Sequence, residues 1–169
     1  MTRIAVVGGG RIGEALISGL REAGTEPQDI VVIEADETRA RELGDKYKIL
    51  ATGLEICCEG ADIIVVAVKP GDVPAVVGRI GDAISDSVHE SIVVSLAAGV
   101  PTAVLENTLS AGSPVVRVMP NTPMLVGRGV SAVCAGRYAR EEHLQQVVSV
   151  MESVGVVVVV DESQMDAVT

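Results

Sequence analysis

The sequence predicts an α/β protein built on a doubly wound, mostly parallel sheet with helices on both faces. Three observations predict it. Short apolar runs alternate with helical patterns along the whole chain, the order that produces βαβ units with right-handed crossovers. The runs are rich in Val and Ile, and the chain contains no Phe, no Trp and 2 Tyr, so its core is aliphatic, as suits strands covered on both faces. The first run passes directly into a glycine turn and then into an amphipathic helical pattern.

In chain order, Ile4 to Val7 is the first strand and Gly13 to Ala23 the first helix. Ile30 to Ile33 follows as a strand, and Thr38 to Lys46 as a charged helix. Tyr47 to Ala51 reads as a short strand, Leu54 to Glu59 as a short helix, and Asp62 to Val68 as another buried strand. A helix over Val73 to Ile84 leads to a strand at Ile92 to Leu96, and a further helix is expected over Pro101 to Ser110. The remaining elements are strands at Pro114 to Val118 and Gly129 to Cys134, a helix from Glu141 to Val154, and a strand at Val156 to Val160. Hydrophobic periodicity thus gives about seven or eight strands. Ser163 to Thr169 reads as the first turn of a helix with Ser163 as its N-cap, which divides the chain into a domain over 1–162 and the opening of a second over 163–169. A domain that stops one turn into a helix with nothing to pack against is expected to have been cut short.

Composition narrows the function classes. At 169 residues the chain holds one domain with a real core. A formal net charge of -10, the lack of a basic cluster and the scarcity of aromatic rings argue against nucleic-acid binding. The 3 cysteines, with Cys57 and Cys58 adjacent, fit neither a disulfide framework nor a metal-ligand spacing and read as reduced, buried thiols of a cytoplasmic protein. The longest apolar run, Val154 to Val160, is too short to cross a bilayer, so no membrane partner is expected. His89 and His143 fall on polar segments without a nucleophile or carboxylate in a recognisable constellation, and both are expected to be solvated.

The chemistry is expected at the carboxyl ends of the strands, where doubly wound sheets bind their ligands. In Gly8-Gly9-Gly10-Arg11-Ile12-Gly13, Gly8 permits the tight turn, Gly10 lets phosphates approach the backbone, and Gly13 lets helix and strand pack closely. The helix N-terminus then faces a dinucleotide pyrophosphate. Glu34, at the end of the second strand, is placed to accept hydrogen bonds from an adenine ribose, which favours NADH and repels a 2′-phosphate. Arg39 offers the opposite charge nearby, although a solvated helix charge is the plainer reading, so NADPH stays open. Ala67-Val68-Lys69-Pro70 ends the central strand with a lysine that can meet ribose or phosphate. Ser95-Leu96-Ala97-Ala98-Gly99 is small enough for a nicotinamide ring to lie against it. Met119-Pro120-Asn121-Thr122-Pro123 is a stiff loop near nicotinamide or substrate, or simply a turn.

Five ordered motifs resemble pyrroline-5-carboxylate reductase, nearest to its actinobacterial members: the glycine turn with Glu14-Ala15-Leu16, Ala67 to Pro70, Ser95 to Val100, Arg117 to Pro123, and Asp166-Ala167-Val168-Thr169. The resemblance implies a Rossmann-type oxidoreductase of proline biosynthesis. It moves hydride from NADPH or NADH to 1-pyrroline-5-carboxylate and gives L-proline. By motif, Val7 to Ile12 contact the pyrophosphate, Ala67 to Pro70 the nicotinamide ribose, and Leu96, Ala97 and Ala98 the nicotinamide vicinity. Ala35 falls where the family often touches the 2′-phosphate, so the cofactor preference is left open. The family continues after the last motif into a helical domain that dimerises and binds the substrate carboxylate. The chain is therefore expected to be the cofactor half, monomeric and inactive alone, with no metal and no catalytic proton donor assigned. The competing reading is a non-catalytic, stand-alone dinucleotide-binding module.

Overall fold

The computed structural model describes residues 2–168. Eight strands form one sheet: β1 (Ile4–Val7), β2 (Ile30–Ile33), β3 (Leu50–Ala51), β4 (Ile63–Val66), β5 (Ile92–Ser95), β6 (Val115–Pro120), β7 (Gly129–Ala135) and β8 (Gly155–Val159). Their spatial order is β3-β2-β1-β4-β5-β6-β7-β8. Pairing is parallel from β3 through to β6. The helices are α1 (Arg11–Glu22), α2 (Glu37–Tyr47), α3 (Leu54–Cys58), α4 (Val73–Ile84), α5 (Thr102–Glu106), α6 (Glu141–Met151) and α7 (Glu162–Val168).

Two apolar clusters show the double winding. Ile4 and Val6 of β1 point into a core closed by Leu16 and Leu20 of α1, Leu43 of α2, and Val147 and Met151 of α6. Ala5 and Val7, facing the other way, join Cys57 of α3, Val77 and Ile80 of α4, and Leu105 of α5. β1, β4 and β5 are buried along their whole length, which is why they read as continuous rather than alternating apolar runs. The order reverses between β1 and β4, so the chain leaves these neighbouring strands in opposite directions and opens a crevice at their carboxyl ends.

Beyond β6 the direction changes. A 3-10 turn over Thr122–Val126, closed by Gly127 at φ +67°, returns the chain as β7, antiparallel to β6. A connection this short permits only a hairpin. The Asn121 side-chain oxygen secures it by accepting the Val130 N–H at 2.8 Å. α6 then carries the chain over to β8, which runs parallel to β7.

Several boundaries differ from the sequence reading. The first helix starts at Arg11 rather than Gly13, because helical geometry begins at once after the turn. The strand expected from Tyr47 shrinks to Leu50–Ala51, since Lys48 takes a left-handed φ of 60° in leaving α2. The helix expected over Pro101 to Ser110 is complete by Glu106. The last helix begins at Glu162, which puts Ser163 inside its first turn instead of at the N-cap. It also has something to pack against: Met165 is fully buried beside Ala132 and Cys134 of β7. Thr169, the end of the last motif, lies outside the described residues. His143 is buried, not solvated: its Nδ1 accepts the Arg140 N–H at 3.2 Å, and its Nε2 lies 3.2 Å from Glu90. His89 is half exposed beside Asp62 at 3.1 Å.

Candidate functional site

The crevice at the β1/β4 reversal is a cleft of about 710 Å³. Three strand ends meet there: Val7 at the end of β1 with Gly8 after it, Glu34 and Ala35 after β2, and Ala67, Val68 and Lys69 after β4. Gly10 lines it as well.

Local sterics explain the glycines. Gly8 has φ +107°, and a Cβ there would stand 2.6 Å from the Ala67 carbonyl oxygen, so the turn and the closeness of β4 both exclude a side chain. A Cβ on Gly13 would come to 2.0 Å from the Gly8 oxygen, which fixes how near α1 lies to the end of β1. Gly10 differs: a Cβ would meet nothing within 4 Å. Gly10 is also the N-cap of α1, and no side chain caps that helix. The first-turn N–H groups and the positive end of the helix dipole are thus left for an anion that can come close. A pyrophosphate fits this cradle.

Glu34 braces the loop. Its Oε2 accepts the Gly9 N–H at 2.7 Å and its Oε1 the Asp36 N–H at 3.1 Å, leaving further lone pairs on both oxygens able to accept from hydroxyl groups. Arg39 is not a solvated helix charge. It pairs with Glu14 and donates to the Gly9 carbonyl at 3.0 Å, tying α2 to the glycine turn. Lys46 at 2.8 Å and Tyr47 at 3.1 Å also hold Glu14. Hydrogen bonds from Lys46, Arg39 and Tyr47 outweigh its burial and keep the Glu14 carboxyl well below the usual range, at about 2. With Arg39 committed, the cations on the cleft wall among the described residues are Lys69 and Arg79. Arg79 of α4 escaped the sequence reading, and the helical stripe Asp72, Val76, Arg79 was the signal for it.

The other expected residues lie along the same sheet edge or beside it. Ile12 packs against the α1 core and Gly13 lies beneath the turn, while Arg11 faces a separate hollow with Glu14 and Lys46. Pro70 starts a 3-10 turn over Pro70–Asp72 that leads into α4. Leu96 and Ala97 are buried next to the end of β4, the Leu96 N–H reaching the Val66 carbonyl at 3.0 Å, whereas Ala98 is exposed. Met119 and Pro120 finish β6, and Asn121 and Thr122 are exposed at the hairpin, with Asn121 serving that turn.

A second polar cluster lies away from the cleft. Arg117, 2% exposed on β6, pairs with Glu162 at 2.8 Å and Asp166 at 3.2 Å of α7, and its Nε has no hydrogen-bond partner among the described residues. Glu162 also accepts from the Cys134 thiol at 3.1 Å and the Thr102 N–H at 3.3 Å. Burial pushes the thiols of Cys57 and Cys134 up to about 12 and that of Cys58 to about 11, which leaves all three protonated and inert near neutrality. Among the described residues no group of His, Cys, Asp and Glu is arranged to hold a metal, and no helix is long and apolar enough to cross a membrane.

A parallel sheet with a strand-order reversal, a glycine turn and an open helix N-terminus at its carboxyl edge defines the Rossmann class. The match of a family model to residues 3–99 is more specific: the chain belongs to the family described as NADP oxidoreductase, coenzyme F420-dependent. The likeness to pyrroline-5-carboxylate reductases is borne out along the whole chain. It is 49% identical over 170 residues to the pyrroline-5-carboxylate reductase of Corynebacterium melassecola, covering 100% of this chain and 63% of that protein. The structure superimposes on a pyrroline-5-carboxylate reductase from Coxiella burnetii with a TM-score of 0.93 at 30% identity, over 99% of this chain and 62% of that one. The Plasmodium falciparum pyrroline carboxylate reductase, solved with NADP bound, matches with a TM-score of 0.82 at 25% identity, over 98% of this chain and 60% of that one. The chain spans less than two thirds of the length of these relatives.

Proposed function

We propose that this chain is the cofactor-holding part of a pyrroline-5-carboxylate reductase, which reduces 1-pyrroline-5-carboxylate to L-proline with NADPH or NADH, the last step of proline biosynthesis. One observation carries the reading: the uncapped N-terminus of α1 opens beside Gly10, and Glu34 lines the same cleft. Likeness to reductases along the whole chain supplies the substrate class.

In this reading the glycine turn and the α1 N-terminus take the pyrophosphate. Glu34 takes the adenine ribose, Ala67 to Pro70 border the nicotinamide ribose, and Leu96 to Ala98 back the nicotinamide, with Met119 to Thr122 nearby. The reduced nicotinamide supplies the hydride. The imine must lie about 3–3.5 Å from the donor carbon. These residues place the donor, and acceptor placement falls to the length of the relatives that this chain does not span.

The same reading sets the cofactor domain at 1–162 and a helical dimerisation and substrate domain from 163 onward, with the full enzyme a cytoplasmic homo-oligomer. Val130, Val156 and Val158 form an exposed apolar face on β7 and β8, on the side where α7 docks, which suits a further domain or subunit there. The chain alone is expected to sediment as a monomer at low concentration.

Calorimetric titration with NADPH and NADH, followed by addition of 1-pyrroline-5-carboxylate and absorbance at the reduced-nicotinamide band, tests the proposal. The expected result is binding without turnover. Turnover would place the substrate site within these residues, and no binding of either cofactor would overturn the reading altogether.

A further inference from the structure

The glycine turn and Glu34 account for the pyrophosphate and ribose of a dinucleotide but leave its adenine without a partner. Past the ribose, the cleft runs over the ends of β2 and β3, where Ala35, Leu54, Val76 and Arg79 line it. Thr52 closes this end, its N–H fixed on the Val32 carbonyl at 3.0 Å.

An adenine ring calls for a flat surface to lie on, and aromatic side chains usually provide one. This chain has no Phe and no Trp. Of its 2 tyrosines, Tyr47 is bonded to Glu14 outside the cleft, and Tyr138 is not on the cleft wall. A guanidinium is the other planar group that stacks on purines. Arg79 is exposed on the wall and forms no hydrogen bond or ion pair with any described residue, whereas Arg39 and Arg117 are both committed to carboxylates. Val76, one turn earlier on α4, also lines the cleft.

We propose that Arg79 is the adenine-stacking residue of this site, its guanidinium lying flat on the purine with Val76 and Leu54 beside it. The inference rests on the dinucleotide reading of the cleft. It makes Arg79 a determinant of affinity for any adenine dinucleotide, not of the choice between NADPH and NADH, because a stacked guanidinium meets the purine face that both cofactors share, while the proposed ribose partner is Glu34.

Calorimetry on the whole chain tests it, with NADH, NADPH, ADP and nicotinamide mononucleotide as ligands. Arg79→Ala is expected to weaken NADH, NADPH and ADP alike by about five- to tenfold, and to leave nicotinamide mononucleotide unchanged. Arg79→Gln, which keeps a planar group, should recover part of the loss. Arg79→Lys, which keeps only the charge, should recover less. The side chain is exposed and unbonded, so unchanged thermal unfolding will show that all variants are folded. A loss confined to NADPH would make Arg79 a 2′-phosphate ligand and overturn the proposal. Unchanged affinities would make it a solvated helix charge and do the same. If the unsubstituted chain binds neither dinucleotide, the reading of the cleft falls along with the inference.

Discussion

The two ends of the sheet treat their polar groups in opposite ways. Around β1, β2 and β4 the structure leaves bonds unmade: the α1 N-terminus has no side-chain cap, Gly10 faces open space, and Arg79 has no partner among the described residues. Around β6, β7 and α7 most polar groups are spent on one another, the buried Arg117 Nε being the exception among the described residues. Arg117 is held by two carboxylates, Glu162 also accepts from Thr102 and Cys134, and Asn121 clips the β6–β7 hairpin. Unmade bonds in an ordered, partly enclosed setting are what a charged ligand completes, whereas satisfied ones hold a fold together. The comparison therefore separates the region proposed to bind from a region that holds the fold together.

The widest test of that contrast lies within the glycine turn itself. Gly13→Ala forces a Cβ against the Gly8 carbonyl and is expected to cost about 3 kcal/mol or more in chemical denaturation. Gly10→Ala, three residues away, should leave stability within about 0.5 kcal/mol while weakening dinucleotide binding about tenfold. Equal effects on stability would erase the distinction between a packing glycine and a ligand glycine.

At the other end, Glu162→Ala strips Arg117 of its nearer counter-charge. Because Glu162 is 36% exposed, water offsets part of the loss, and about 2 kcal/mol is expected by urea denaturation with cofactor affinity unchanged. Arg117→Met should cost less, since it removes the buried charge instead of stranding it. A matching drop in cofactor affinity would show that the holding region reaches the cleft.

Glu34→Ser removes the carboxylate proposed to meet the adenine ribose, and the NADPH to NADH affinity ratio should rise about tenfold, or about 1.4 kcal/mol. An unchanged ratio in paired titrations would leave Glu34 only its role of bracing Gly9.

The smallest effect concerns pH. Glu14 is held at about 2, below its ordinary 4.5, so its contribution is fully present above about 4.5 and is lost as pH falls toward 2. Screening at this partly exposed site keeps the change to about 1 kcal/mol. Thermal unfolding across that window should show a step in the unsubstituted chain and a smaller one in Glu14→Gln.

What the sequence determined by itself was local and periodic. The continuous apolar runs of β1, β2, β4 and β5, the helix over Val73 to Ile84 and the glycine turn were all legible, because burial on both faces and steric demand at a turn leave direct marks on residue type. Tertiary structure alone decided which side chains met across long stretches of chain. Arg39 resembled a surface charge until α2 folded back onto Glu14, 25 residues earlier. His143 sat in a polar segment, yet Glu90 lies 53 residues away in sequence and 3.2 Å away in space. Arg117 was one letter of a motif until α7 docked on the sheet and closed two carboxylates around it. Arg79 came to line the cleft only when α4 packed beside β4. Periodicity records which face of an element is buried, but the identity of a charge's partner is written nowhere near the charge, because Coulomb attraction and hydrogen bonding act through space and are set by how the elements pack.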